Sequence, residues 1–143
     1  MNDQKTILCV EDEDDLRGDI AEELEAANYR VLQAADGDEA LGLLEVHRPD
    51  LVLCDITMPG LGGYDVLKAL REQGTMADVP FIFLTALAER NDVLSGKQAG
   101  ADDYLVKPID YEILLALSQP VSIRSLAFRR APSTGPRNPG RKS

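Results

Sequence analysis

Five short apolar stretches recur along the chain: residues 7–10 (ILCV), 31–32 (VL), 51–54 (LVLC), 81–84 (FIFL) and 104–106 (YLV). Three are four-residue runs without polar alternation, the pattern of strands covered on both faces of a parallel sheet. The segments between them carry helical spacing. Leu16, Ile20, Leu24 and Ala27 line one face of the first, and Val66, Leu67 and Leu70 begin the third. The fourth helical segment, residues 87–99, is the weakest: it holds Asn91, Ser95 and Gly96 and only Val93 and Leu94 as a clear apolar pair. The rhythm is strand–helix repeated five times. It predicts an α/β fold, a doubly wound five-stranded parallel sheet between two layers of helices, with right-handed crossovers.

Punctuation agrees with this reading. Asp36 and Glu39 stand in capping-box relation before the second helix, and Asp110 can cap a fifth containing Ile113, Leu114 and Leu117. Asn28, Gly74 and Gly100 sit where helices would stop in a left-handed turn. After Gln119 the character changes. Residues 1–119 read as one domain and residues 120–143 as a basic Pro/Gly-rich tail, partly or wholly disordered, in which 132–143 (PSTGPRNPGRKS) has no apolar content with which to order itself.

Charge sharpens that division. Residues 1–120 hold all 25 acidic side chains against 9 basic ones, a formal charge of −16, whereas residues 121–143 carry 6 basic and no acidic groups. The acidic part is a poor direct nucleic-acid binder. No apolar run approaches the roughly 20 residues needed to cross a bilayer, and no secretory signal stands at the N-terminus, so a cytoplasmic protein without membrane contact is expected. Cys9 and Cys54 both fall inside strand-like runs and read as buried, reduced thiols. His47, beside Arg48 and Pro49 near the end of the second helix, reads as a surface histidine favoured by the helix C-terminus.

In doubly wound sheets ligands sit at the carboxyl ends of the strands. Strand one ends in Glu11 and Asp12, strand three in Asp55 and strand four in Thr85, and Lys107–Pro108 follows strand five. Three carboxylates, a hydroxyl and an ammonium would share one small pocket. Two like charges about 4 Å apart repel by ~4 kcal/mol at an effective dielectric near 20, so such a cluster calls for a proton or a cation. Hard oxygen ligands with open positions suit Mg²⁺, which keeps several waters and borrows phosphate oxygens. Given the metal, a carboxylate can attack phosphorus while Lys107 and Thr85 neutralise or hydrogen-bond the transferred oxygens.

The stretches 7–12 (ILCVED), 51–63 (LVLCDITMPGLGG), 84–86 (LTA) and 100–108 (GADDYLVKP) together resemble the response-regulator receiver family, over roughly residues 5–118. The resemblance implies a flavodoxin-like sheet of strand order 2-1-3-4-5. It implies Asp55 as phosphoacceptor, and Asp12 and Asp55 as direct ligands of Mg²⁺ (or Mn²⁺), joined by the Thr57 backbone carbonyl and by Glu11 through water. Thr85 and Lys107 would contact the phosphoryl group, the Lys107–Pro108 bond would be cis, and Tyr104 would be a switch aromatic following Thr85. The implied partner is a sensor histidine kinase or a histidine phosphotransfer protein. Phosphorylation would remodel the surface of the fourth helical segment, strand five and the fifth helix, a face through which two copies could also pair. The Glu11–Asp12 pair is a variant of the family's Asp–Asp and leaves the metal role intact.

Other readings exist residue by residue. Asp55 could be a strand-end turn residue, Lys107 an exposed loop lysine, Thr85 a cap of the next helix and Tyr104 a half-buried strand aromatic. Residues 13–15 read as a solvated acidic run that favours a helix N-terminus. Two functional alternatives remain: a Mg²⁺-dependent phosphatase or phosphotransferase with Asp55 as nucleophile, and a receiver used only for docking. Hydrolases of the first kind usually place a second Asp shortly after the nucleophile, where this chain has Thr57, and the intact cluster argues against the second.

Overall fold

Apolar side chains pointing to both faces make the central strands: β1 (Thr6–Val10) is buried at four of its five positions and β3 (Leu51–Asp55) at all five. The structure is a computed structural model that describes residues 4–86 and 101–119. Around those strands run α1 (Asp14–Ala26), β2 (Arg30–Ala34), α2 (Gly37–Val46), α3 (Gly63–Glu72), β4 (Phe81–Ala86), β5 (Asp103–Lys107) and α4 (Tyr111–Ser118). All pairings are parallel and the strand order is β2-β1-β3-β4-β5, the order implied above. The segment 87–99, Gly100 and the tail from residue 120 lie outside the described residues.

Alternation along each strand divides the interior into two cores. Leu8, Val10, Val52, Cys54, Phe81 and Phe83 face α2 and α3, where Ala40, Leu44, Val66, Leu67 and Leu70 meet them. Ile7, Cys9, Leu51, Leu53, Ile82 and Leu84 face the opposite way, toward Ile20 and Leu24 of α1 and Leu114 of α4. Aromatic edges fill the first core: the rings of Phe81 and Phe83 lie 5.2 Å apart, and Tyr64 of α3 meets Phe83 at 5.1 Å. The result is the three-layer sandwich expected from the sequence.

Element ends follow local chemistry, with three departures from the sequence reading. The Glu39 N–H donates to Asp36 Oδ1 (2.8 Å), but Glu39 Oε1 accepts from the Ala35 N–H (2.6 Å) instead of closing the box on Asp36. Asn28 does adopt the left-handed conformation, at φ 74°, whereas among the described glycines only Gly60 does. Gly74 therefore does not end α3; the extended Gln73 does, with its N–H donating to the Leu70 carbonyl. Ala27, expected on the buried face of α1, is exposed at its C-cap, because the helix ends one residue earlier. Asp110 caps α4 as expected, accepting from the N–H groups of Glu112 and Ile113.

Cys9 and Cys54 are both free and buried, on opposite faces of the sheet. Burial, helped by the Glu11 charge, pushes the Cys9 thiol up to about 12, and burial holds Cys54 well above its usual range. Neither can supply a thiolate at neutral pH. A thiol-specific reagent at pH 7.5 should label neither cysteine in the native protein and both in 6 M guanidinium, counted by mass spectrometry.

Candidate functional site

Strand order reverses between β1 and β3, since the chain leaves β1 for β2 on one side and reaches β3 on the other. A crevice opens at such a reversal, at the carboxyl ends of the strands. Val10 pairs with Cys54 across it, so the next residues, Glu11 and Asp12 on one side and Asp55 on the other, face each other over the gap. One carboxylate oxygen from each lies within 4.8 Å of the others. Asp12 is exposed while Glu11 and Asp55 are buried, at 1% and 4% exposure. Buried carboxylates this close need a positive charge or a proton.

Lys107 supplies one such charge from the end of β5. Its Nζ stands 2.9 Å from Glu11 Oε1 and 3.3 Å from Asp55 Oδ2. The second contact is a hydrogen bond; the first is an ion pair whose alignment leaves Glu11 Oε1 without a well-formed hydrogen bond. Desolvation works to lower the Lys107 pKa, but the pairings with Glu11 and Asp55 outweigh it and hold the ammonium above its ordinary value. The lysine is therefore a fixed cation of the crevice, not a loop charge. Its bond to Pro108 is cis.

The backbone orients the acids. Glu11 Oε2 accepts from the Glu13 N–H (3.1 Å), and Asp55 Oδ1 accepts from the Thr57 N–H (3.3 Å). Thr85 is fully buried one residue beyond Leu84, the register partner of Asp55, and its hydroxyl donates to the Ala86 carbonyl (3.1 Å). Tyr104 is half-buried and packs against the α2/α3 core. It lies on the same face as Thr85, two residues before that residue's register partner Val106. Every site position read from the sequence thus lies at or beside one end of the sheet. Glu11, Asp12, Asp55 and Lys107 converge directly, Thr57 and Thr85 flank them, and Tyr104 sits one turn of pleat below.

Two further residues shape the site. Arg17 donates from Nη1 to the Glu11 carbonyl (2.7 Å) and from Nη2 to Asp14 (2.7 Å), fastening α1 to the acidic segment. Its signal in the sequence was faint, a lone cation amid a run of acids. Gly63 starts α3 hard against β3: its N–H donates to the Ile56 carbonyl (2.9 Å), and a Cβ there would press on the Asp55 carbonyl oxygen and lie 3.0 Å from Phe83.

The Asp55 carboxyl is pushed from 3.8 up to about 7 by burial first and the Glu11 charge second, against the pull of Lys107 and the Thr57 N–H. The donor set of hard, closely spaced oxygens, one of them solvent-accessible, forms a group able to hold a metal ion.

The sequence matches a model of the response regulator receiver domain over residues 7–119. It is 41% identical over 133 residues to the response regulator MprA of a Mycobacterium species, covering 93% of this chain and 55% of that protein. It is 39% identical over 110 residues to RpaA of a Synechocystis species, described as a DNA-binding dual master transcriptional regulator, covering 77% of this chain and 46% of that protein. Among solved structures, the chemotaxis protein CheY4 of Vibrio cholerae matches with a TM-score of 0.74 at 35% identity, over 78% of this chain and 93% of that one. The chain spans about half the length of the curated relatives it matches.

A pH dependence follows from the raised Asp55 pKa. Between about pH 4 and pH 7 the native carboxyl holds a proton that the unfolded chain has released, so its contribution to stability is present at low pH and lost as pH rises through 7. Asp55→Asn removes that loss. In metal-free buffer the variant should gain on the wild type progressively across this window and exceed it by ~1–2 kcal/mol at pH 8, measured by urea denaturation at a series of pH values.

Proposed function

The chain belongs to the response regulator receiver family, and from that premise we propose that Asp55 is its phosphoacceptor, charged by a histidine-kinase or histidine-phosphotransfer partner in a Mg²⁺-dependent reaction. Receiver domains are phosphoacceptor signalling modules of two-component systems. The observation that carries the assignment to Asp55 is the convergence of three carboxylates and the Lys107 ammonium at the β1/β3 crevice. On this reading residues 1–119 form the receiver, residues 120–143 a basic tail, and the protein works in the cytoplasm.

Glu11, Asp12, Asp55 and the Thr57 backbone carbonyl would hold the cation. Bound there, it would supply charge neutralisation for the phosphoryl oxygens. The chain's own groups do the rest. Burial leaves the Asp55 carboxylate poorly solvated, and the Thr57 N–H holds its Oδ1, leaving Oδ2 toward Lys107. That carboxylate attacks the phosphorus of a phosphohistidine; the P–N bond breaks, an O–P bond forms, and the imidazole leaves and takes up a proton. Lys107 passes from the Asp55 carboxylate to a phosphoryl oxygen, and the Thr85 hydroxyl donates to another. Tyr104 follows Thr85 on the same face, altering the surface made by residues 87–99, β5 and α4, which on this proposal is also the face for pairing two copies. The protein turns over its own phosphoryl group and has no free substrate beyond the donor.

Acetyl phosphate with Mg²⁺ serves as a partner-free donor. A single phosphoryl adduct should appear by mass spectrometry, map to Asp55, and vanish in Asp55→Asn or when EDTA is added first. Lys107→Ala should retain metal binding but slow adduct formation by at least about 10-fold. An adduct that survives Asp55→Asn would refute the assignment, and rapid multiple turnover of small phosphate esters would favour a phosphatase instead.

A further inference from the structure

Gly37 opens α2, and the space where its side chain would stand is occupied by a distant part of the chain. A Cβ built there would lie 2.5 Å from the Leu61 carbonyl oxygen, 2.7 Å from the Leu61 Cβ and 3.1 Å from its carbonyl carbon. Two of these are backbone atoms, so no rotamer change relieves the overlap. The need for glycine is steric alone, because Gly37 is not among the left-handed positions.

Leu61 lies in the loop between Asp55 and α3, and that loop is fastened elsewhere. The Thr57 N–H bonds to Asp55, the Gly63 N–H to the Ile56 carbonyl, and the Gly62 N–H to Asp65 Oδ2 (3.1 Å). The start of α2 is fastened too, but to the opposite wall of the crevice. Asp36 and Glu39 lock its first turn, and Ala34, the last residue of β2 and two before the Asp36 cap, accepts from the Glu11 N–H at 3.0 Å. Gly37 against Leu61 therefore joins the segment bearing Glu11 and Asp12 to the loop bearing Thr57, on the α2 side of the sheet.

We propose that Gly37 is a positioning residue for divalent-cation binding: its bare Cα sets how closely the 57–61 loop approaches the Glu11–Asp12 segment. This rests on the metal reading given above. A methyl group at position 37 must push Leu61 outward, and with it the loop whose Thr57 carbonyl is assigned to the cation. Outer groups that orient metal ligands commonly control affinity by 10-fold or more. Gly42 provides an internal control, since it lies exposed in the same helix with nothing within 4 Å of a built Cβ.

The test is a Mg²⁺ titration of the folded full-length protein, followed by amide NMR shifts at residues 11–12 and 55–58. Wild type and Gly42→Ala should give the same Kd, and Gly37→Ala one weaker by about 10-fold. Adding Leu61→Gly, which removes the overlapping Cβ, should recover part of that loss. A merely structural glycine would change the urea midpoint and leave the Kd of the folded molecules alone. If Gly37→Ala does not fold, Leu61→Gly alone replaces it; slackening the seat should weaken Mg²⁺ by about 3-fold, and an unchanged Kd overturns the proposal. Asp12→Asn separates the two readings: Mg²⁺ binding as tight as wild type in that variant overturns the metal site itself, whereas weakened binding there with a normal Kd in Gly37→Ala overturns only the role of Gly37.

Discussion

The site depends on one ammonium group shared between two buried carboxylates. Glu11 and Asp55 are both withdrawn from water at the end of a parallel sheet, where burial and the Glu11 charge make ionisation of Asp55 harder. Lys107, reaching in from β5, is the protein's own answer to that repulsion. The balance is incomplete, since Asp12 adds a third oxygen donor that faces solvent. A crevice with more negative than positive charge is able to hold a cation, and on the proposed reading it would, once neutralised, receive the oxygens of a phosphoryl group. Attraction of a negatively charged donor to a cluster of acids makes physical sense only through that neutralisation.

Topology makes this arrangement inexpensive to build. Parallel strands all deliver their carboxyl ends to the same edge, and the reversal of order between β1 and β3 leaves that edge unobstructed by a crossover helix. The two cores then hold the strands from both faces, so the backbone positions that carry Glu11 and Asp55 follow directly from the Val10–Cys54 end of the ladder. The loop from Ile56 to Gly62 is restrained by hydrogen bonds to its backbone at both ends and by close approach of Gly63 and Gly37. Precision at the crevice is thus inherited from packing several residues away.

Much of this was legible in the residues. Apolar runs located all five strands, but every observed strand extends beyond its run at one end or both, with Thr6, Arg30, Gln33, Asp55, Thr85, Asp103 and Lys107 continuing the ladder as polar side chains. Hydrophobic pattern marks where a strand is covered, not where its hydrogen bonds end. The strand order came from family resemblance, since periodicity carries no information about neighbours. At the site, Glu11, Asp12, Asp55, Thr85 and Lys107 could be found because chemistry in such sheets gathers at strand ends. Arg17 and Gly63 could not, since their roles lie in a carbonyl contact and an absent side chain that only three dimensions reveal. Gly74 misled for a related reason: a glycine after a helix suits a left-handed turn without requiring one.

The outermost strand β2 carries a further implication. It lies at one margin of the sheet, only five residues long, with Arg30 and Gln33 exposed along it. An open margin with unsatisfied backbone groups invites another chain to add a strand there, and a short, charged margin is a poor template for such stacking. Strand addition by a second copy of the chain is thereby disfavoured at this margin.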